Sequence, residues 1–132
     1  MLEKETDMRK PRPQPTPEQG PTVTKATLRA AERLGLSNKT VAGIVGLSEA
    51  TVSRMGSGRY TLAPNDKPFE LSLLLVRLYR SLDAITGGDD AVARAWLRNE
   101  NNALGAPPLT LMQSIQGLVN VIAYLDARRA VV

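Results

Sequence analysis

The chain has 132 residues, the size of one ordinary domain or two very small ones. Apolar residues make up 42%, yet there are only one Phe, one Trp and three Tyr, so a core must be built from Leu, Val, Ile and Ala. That composition favours packed helices over an aromatic-rich sandwich. The absence of Cys and His removes disulfides, thiolate metal sites and the commonest general base.

The net charge is +4, and its excess is confined to residues 21–65, where Lys25, Arg29, Arg33, Lys39, Arg54 and Arg59 face only Glu32 and Glu49. A basic segment of this kind favours a polyanion, because counterion release drives phosphate binding. A solvated basic face reads the same way from sequence. No apolar run approaches the roughly 18 residues of a membrane span, and the charged start "MLEKETDMRKPRPQPTPEQGP" is unlike a signal peptide. A cytoplasmic protein without membrane attachment is expected.

In chain order, residues 1–21 hold five of the nine prolines and few large apolar groups, which predicts a disordered leader. Residues 24–34 predict a short helix with Thr24 as its cap and Leu28, Ala31 and Leu34 on one face. Two more short helices are expected within residues 37–55, then a Gly- and Pro-punctuated loop over 56–68. Residues 69–85 give the clearest helix, with Leu71, Leu74, Leu75, Leu78, Leu82 and Ile85 spaced by three and four. Gly87-Gly88 ends it, and Asp89 or Asp90 caps a helix running to Arg98. After a loop over 99–108, one last helix is expected from Leu109 to Arg128, with Pro108 suited to its first turn. No alternating strand pattern occurs, so the fold class is all-α. The expected domains are the leader (1–21), a DNA-binding unit (22–64) and a C-terminal helical unit (65–132).

"SNKTVAGIVGLSEATVSRM" (residues 37–55) meets the steric requirements of a helix-turn-helix. Ala42 is small where the second helix crosses the first, and Gly46 supplies the left-handed residue of the turn. Val41, Val45, Leu47, Val52 and Met55 are spaced to share a core, with Ser37 and Ser48 capping the two helices. The second helix would then offer Glu49, Ala50, Thr51, Ser53, Arg54 and Ser57, together with its cap Ser48, to a major groove. Arg54 suits a bidentate contact to guanine, Thr51 and Ser53 suit bases or phosphate, and Lys39, Arg59 and Lys25 suit phosphates. A helix-turn-helix used only for packing remains open.

From Trp96 onward the chain changes character: one indole, an Asn-rich turn, a Gly/Pro corner and a helix apolar on more than one side. Leu111, Ile115, Leu118, Ile122 and Leu125 form one stripe, and Met112, Val119, Val121 and Tyr124 extend beyond it. The excess apolar surface points to cover by another chain. Burial all round within its own domain is the alternative. Gly117 costs roughly 1 kcal/mol relative to Ala in a helix, which implies close backbone approach there.

The runs "LLLVRLYRSLDAITGGDDAVARAWL" and "NNALGAPPLTLMQSIQGLVNVIAYLDA" resemble the Xre/ParS/MbcA antitoxins of bacterial type II toxin–antitoxin systems. The resemblance covers about residues 34–130. It rests on Arg80, Leu82, Gly87, Trp96, Leu97, Asn102, Leu104, Gly105, Pro108, Gly117, Val121 and Leu125, with Ala106 where a second glycine is common. It implies a RES-domain toxin that degrades NAD⁺ or uses it for ADP-ribosylation as partner, held and covered by the C-terminal domain. It also implies operator binding to repress the protein's own operon, and self-association. The toxin-binding set so implied is Trp96, Asn102, Leu104, Gly105, Pro108, Leu111, Ile115, Leu118, Val121, Ile122, Leu125, Arg128 and Arg129, the two arginines lying near the toxin's pocket or, alternatively, only complementing the helix C-terminus.

Catalysis is not expected. Without His and Cys, acid–base chemistry would fall to carboxylates or lysines, and the one carboxylate pair, Asp89-Asp90, lies where a helix N-terminus favours negative charge. No cofactor or metal site is expected either. Two other readings are a stand-alone helix-turn-helix repressor whose C-terminal helices dimerise it, and an interaction module without a DNA target.

Overall fold

The computed structural model describes Thr16 and residues 18–131, the last without its side chain. Most of the proposed leader lies outside the described residues. The described residues form seven α-helices: α1 (Gln19–Leu34), α2 (Asn38–Val45), α3 (Glu49–Gly56), α4 (Lys67–Ile85), α5 (Asp90–Arg98), α6 (Pro108–Leu111) and α7 (Ile115–Val131). No strand occurs among the described residues, in keeping with the all-α expectation, and no described helix is long and apolar enough to cross a membrane.

α1 begins earlier than the pattern of residues predicts, and Thr24 is not its cap. Its first turn takes in Gly20 and Pro21, which composition alone places in the leader; Pro21 fits there because a first-turn N–H has no helical partner. Thr24 is buried. Its hydroxyl donates to the Gly20 carbonyl at 2.7 Å and accepts the Leu62 N–H at 2.9 Å. A Cβ on Gly20 would lie 2.5 Å from the Leu62 carbonyl oxygen. The loop after α3 therefore holds the first turns of α1, a contact that no local pattern encodes.

The helix-turn-helix forms as its spacing predicts. Ser37 and Ser48 cap α2 and α3, accepting the N–H groups of Thr40 and Thr51 at 3.1 Å each. Gly46 takes φ 77°, a left-handed conformation that a side chain would strain. The Ala42 carbonyl receives the N–H groups of both Gly46 and Leu47 across the turn. Val41, Val45, Val52 and Met55 are buried.

One hydrophobic cluster joins the two halves of the chain. Leu34, Val41, Val45 and Val52 pack with Leu75, Leu78, Leu82, Leu97, Met112, Leu118 and Leu125, so α4 serves both the helix-turn-helix and α7. A second cluster of Val23, Met55, Leu62 and Phe69 closes the start of α1 over α3 and α4. Each fully buried Leu contributes about 1.5–3 kcal/mol of transfer free energy, which makes this shared core the main source of stability.

The expected last helix is two helices. α6 stops at Leu111, and α7 starts at Ile115 behind a cap by Ser114, whose hydroxyl accepts the Gly117 N–H at 3.0 Å. Gly117 permits this corner, because a Cβ there would stand only 1.9 Å from the Leu111 carbonyl oxygen. Close backbone approach at Gly117 is present, but the approaching backbone is the chain's own.

Two arginines of α5 tie that helix to the end of α1. Arg94 donates to the carbonyls of Arg33 and Glu32 at 2.8 and 3.0 Å; Arg98 donates to those of Leu34 and Gly35 at 3.2 and 2.8 Å. The last carbonyls of a helix have no helical partner and carry its negative dipole end, so guanidinium groups suit them. Gly43 of α2 makes a further contact across the halves, since its Cβ position lies 2.3 Å from the Gln113 side-chain oxygen.

Candidate nucleic-acid and partner interfaces

The exposed face of α3 carries Glu49, Ala50, Ser53 and Arg54, with Ser48 and Ser57 exposed at its two ends and Thr51 half-buried. The polar side chains brace one another. Ser48 and Thr51 hydroxyls lie 2.8 Å apart, and Arg54 donates to the Thr51 hydroxyl at 2.9 Å. Ser57 donates to the Arg54 carbonyl at 3.2 Å and accepts from Arg59 at 3.0 Å. A guanidinium has five N–H donors, so Arg54 keeps donors to present outward while Thr51 fixes its direction. Glu49 stands in the first turn, where the helix dipole stabilises a carboxylate. Lys25, Lys39 and Arg59 are exposed. The side chains expected to read bases thus belong to α3 and its two ends, whereas Lys25 stands on α1 and Lys39 on the first turn of α2.

The C-terminal set divides. Leu118, Val121 and Leu125 are at most 1% exposed, and Ile122 and Pro108 are also buried. These five build the protein's own core and cannot offer their side chains to a partner without unfolding it. Ile115, expected in the same stripe, is 55% exposed, as is Val119 at 43%. Ile115 keeps the register of Leu118 and Ile122, but it opens α7 at the corner behind α6, where no neighbouring element covers it, while Met112 on the other side of the corner is buried.

Trp96 is half-buried and stacks on Tyr124, with centroids 6.2 Å apart and planes at 17°. Arg128 lies 5.5 Å from the Tyr124 ring centroid and donates to its hydroxyl at 3.1 Å. Arg129 donates to the Ser81 hydroxyl at 3.2 Å. Both arginines therefore rest on the fold itself, and a reach into a partner's pocket would have to break these contacts. Neither serves only the helix dipole.

Asn102 and Gly105 are exposed, and Leu104 and Leu111 are half-buried. The residue that organises this turn is Asn101. Its side chain accepts the Leu104 N–H at 3.0 Å and its carbonyl accepts the Gly105 N–H at 2.8 Å, with Gly105 at φ 85°. Two adjacent asparagines read alike in sequence; only the turn distinguishes them.

Asp89 and Asp90 do not act as a pair. Asp89 caps α5, accepting from the Ala91 and Val92 N–H groups at 3.0 and 3.2 Å, whereas Asp90 lies 3.7 Å from Arg33. Among the described residues no cluster of acidic side chains could hold a metal ion. Asp126 was not singled out by the sequence. Ser81 donates to it at 2.9 Å and Arg77 forms an ion pair with it. The Ser81 hydrogen bond, with help from Arg77 and against partial burial, holds its carboxyl below the usual aspartate range.

Residues 15–77 match the family model described as the antitoxin Xre-like helix-turn-helix domain. Residues 81–130 match the one described as the antitoxin Xre/MbcA/ParS C-terminal toxin-binding domain. The first span ends and the second begins within α4, the helix that serves both halves of the core. No curated protein matches the chain.

Proposed function

Because the chain belongs to the Xre/MbcA/ParS antitoxin family, we propose that its toxin is a RES-domain protein that degrades NAD⁺ or transfers ADP-ribose from it. The C-terminal helices bind that toxin and cover its active site, and α3 reads an operator to repress the operon. The observation that carries the toxin-binding part is the outer face of α7. Ile115 and Val119, one turn apart, are exposed beside the buried stripe of Leu118, Val121, Ile122 and Leu125. An apolar pair on a rigid helix inside the matched toxin-binding span suits a partner of complementary apolar surface. Trp96, Tyr124 and Arg128 add an aromatic and cationic element, residue types that dominate protein interfaces.

DNA reading rests on the braced Arg54 and the basic residues that flank it. Co-expression with a RES-domain protein encoded beside this chain should rescue growth, and the purified complex should not consume NAD⁺. Ile115→Asp should disrupt the complex while leaving the fold intact. Removal of residues 127–132 should leave the complex assembled and restore NAD⁺ consumption if the tail occludes the pocket. Inhibition that persists in both variants would exclude this surface. On operator DNA, Arg54→Ala should weaken specific binding by about 1–3 kcal/mol, and Lys39→Ala should weaken binding to all sequences alike. Failure to bind its own promoter at low salt, alone and with the toxin, would remove the repressor role.

A further inference from the structure

A groove of about 380 Å³ runs between α1 and α4 and is closed at one end by α7. Val23, Ala26, Leu73 and Val76 line it, and Arg77, Arg80 and Arg129 stand at its edges. Leu73 is 45% exposed, one of the few large apolar side chains that the fold leaves open to solvent. The arginines are not equivalent. Arg77 pairs with Asp126 and Arg129 bonds to Ser81, whereas Arg80 has no ion-pair partner among the described residues. Among the described residues, Asp126 is the one carboxylate ion-paired with this cationic rim of three guanidinium groups.

We propose that this groove is a second docking surface, which takes an acidic protein segment carrying an apolar side chain. Charge complementarity chooses the occupant. An aliphatic floor gives nothing to a bare phosphate or to a nucleic-acid backbone, while Leu73 and Val76 suit an aliphatic anchor and the rim suits carboxylates beside it. The Arg77–Asp126 and Arg129–Ser81 contacts set two guanidinium groups in place before any partner arrives and lower the ordering cost of binding. The groove shares Arg129 with the C-terminal tail but does not involve Trp96, Tyr124, Ile115 or Val119, so it does not rest on the toxin-binding reading.

The test titrates the full-length protein with a synthetic amphipathic peptide of glutamate and leucine, followed by calorimetry and by backbone amide shifts. Parallel titrations use the glutamine–leucine counterpart, inorganic pyrophosphate and duplex DNA. Saturable binding of the acidic peptide is expected, with shifts in α1 and α4. Arg80→Ala should weaken it about tenfold or more, the scale of one charge-assisted contact. Leu73→Asn should weaken it as well, while Arg54→Ala leaves it unchanged. Equal affinity for the glutamine peptide would overturn the proposal, as would competition by DNA or pyrophosphate at the same amides. Binding that appears only after removal of residues 1–15 would assign the groove to the chain's own N-terminal segment and overturn it too, as would no binding by any probe.

Discussion

Side-chain hydrogen bonds in the helix-turn-helix and in the C-terminal helices differ in reach. Around α2 and α3 every such bond spans two or three residues, from the Ser37 cap to the Arg59–Ser57 contact. In the C-terminal half, Arg94, Arg98, Arg129 and Asp126 reach across 45 to 64 residues to α1 or α4. Local bracing leaves the outer surface of α3 open for a ligand while still fixing its side chains. Long-range bonds consume polar groups to lock one element against another. The first half thus displays its charged residues, and the second spends several of its own on holding the fold together.

Buried apolar positions on α7 should show the largest effect. Leu118→Ala should cost about 2–5 kcal/mol in denaturant unfolding, and Ile115→Ala no more than about 0.5 kcal/mol. Equal losses would mean that Ile115 is as buried as Leu118, against the structure. Next comes the corner before α7. Gly117→Ala drives a Cβ into the Leu111 backbone and should destabilise by about 3 kcal/mol. Gly43→Ala meets only the movable end of Gln113 and should be tolerated far better. Thermal melts of the two variants decide this.

A smaller effect is expected at the α1–α5 tie. Arg98→Ala should cost about 1 kcal/mol, since its bonds are charge-assisted but largely exposed. Faster amide exchange at the end of α1, with α3 unaffected, would sharpen the contrast between local and long-range bonding. The smallest effect is the pH response of Asp126. Its folded pKa is lowered, so its contribution is complete above the ordinary aspartate value and disappears as pH falls through the folded value. Stability measured below about pH 4 should therefore decline less steeply in Asp126→Asn than in the wild type.

Much of the N-terminal architecture was legible because its determinants are close in sequence. Ser37, Ala42, Gly46 and Ser48 act on residues two to five positions away, and each stands where the spacing required. The same holds for the Asp89 cap and for the leucine repeat of α4. Errors arose where the deciding partner was distant. Thr24 reads as a cap, but the Leu62 N–H makes it an internal tether; Leu109 to Arg128 reads as one helix because each residue there permits one. Of the residues expected to face a partner, the stripe's composition was visible but not its division into buried and exposed members.

By itself the sequence determined the all-helical class, the helix-turn-helix and the residues that α3 displays, since backbone propensity, caps and apolar spacing act within a turn or two of their origin. Only the tertiary structure decided the corner at Gly117, the burial of Leu118, Val121, Ile122 and Leu125, the arginine ties to α1 and the groove rimmed by Arg77, Arg80 and Arg129. Those features depend on which helix faces meet, and a face is shared by residues many positions apart whose distances are fixed only once the core has closed.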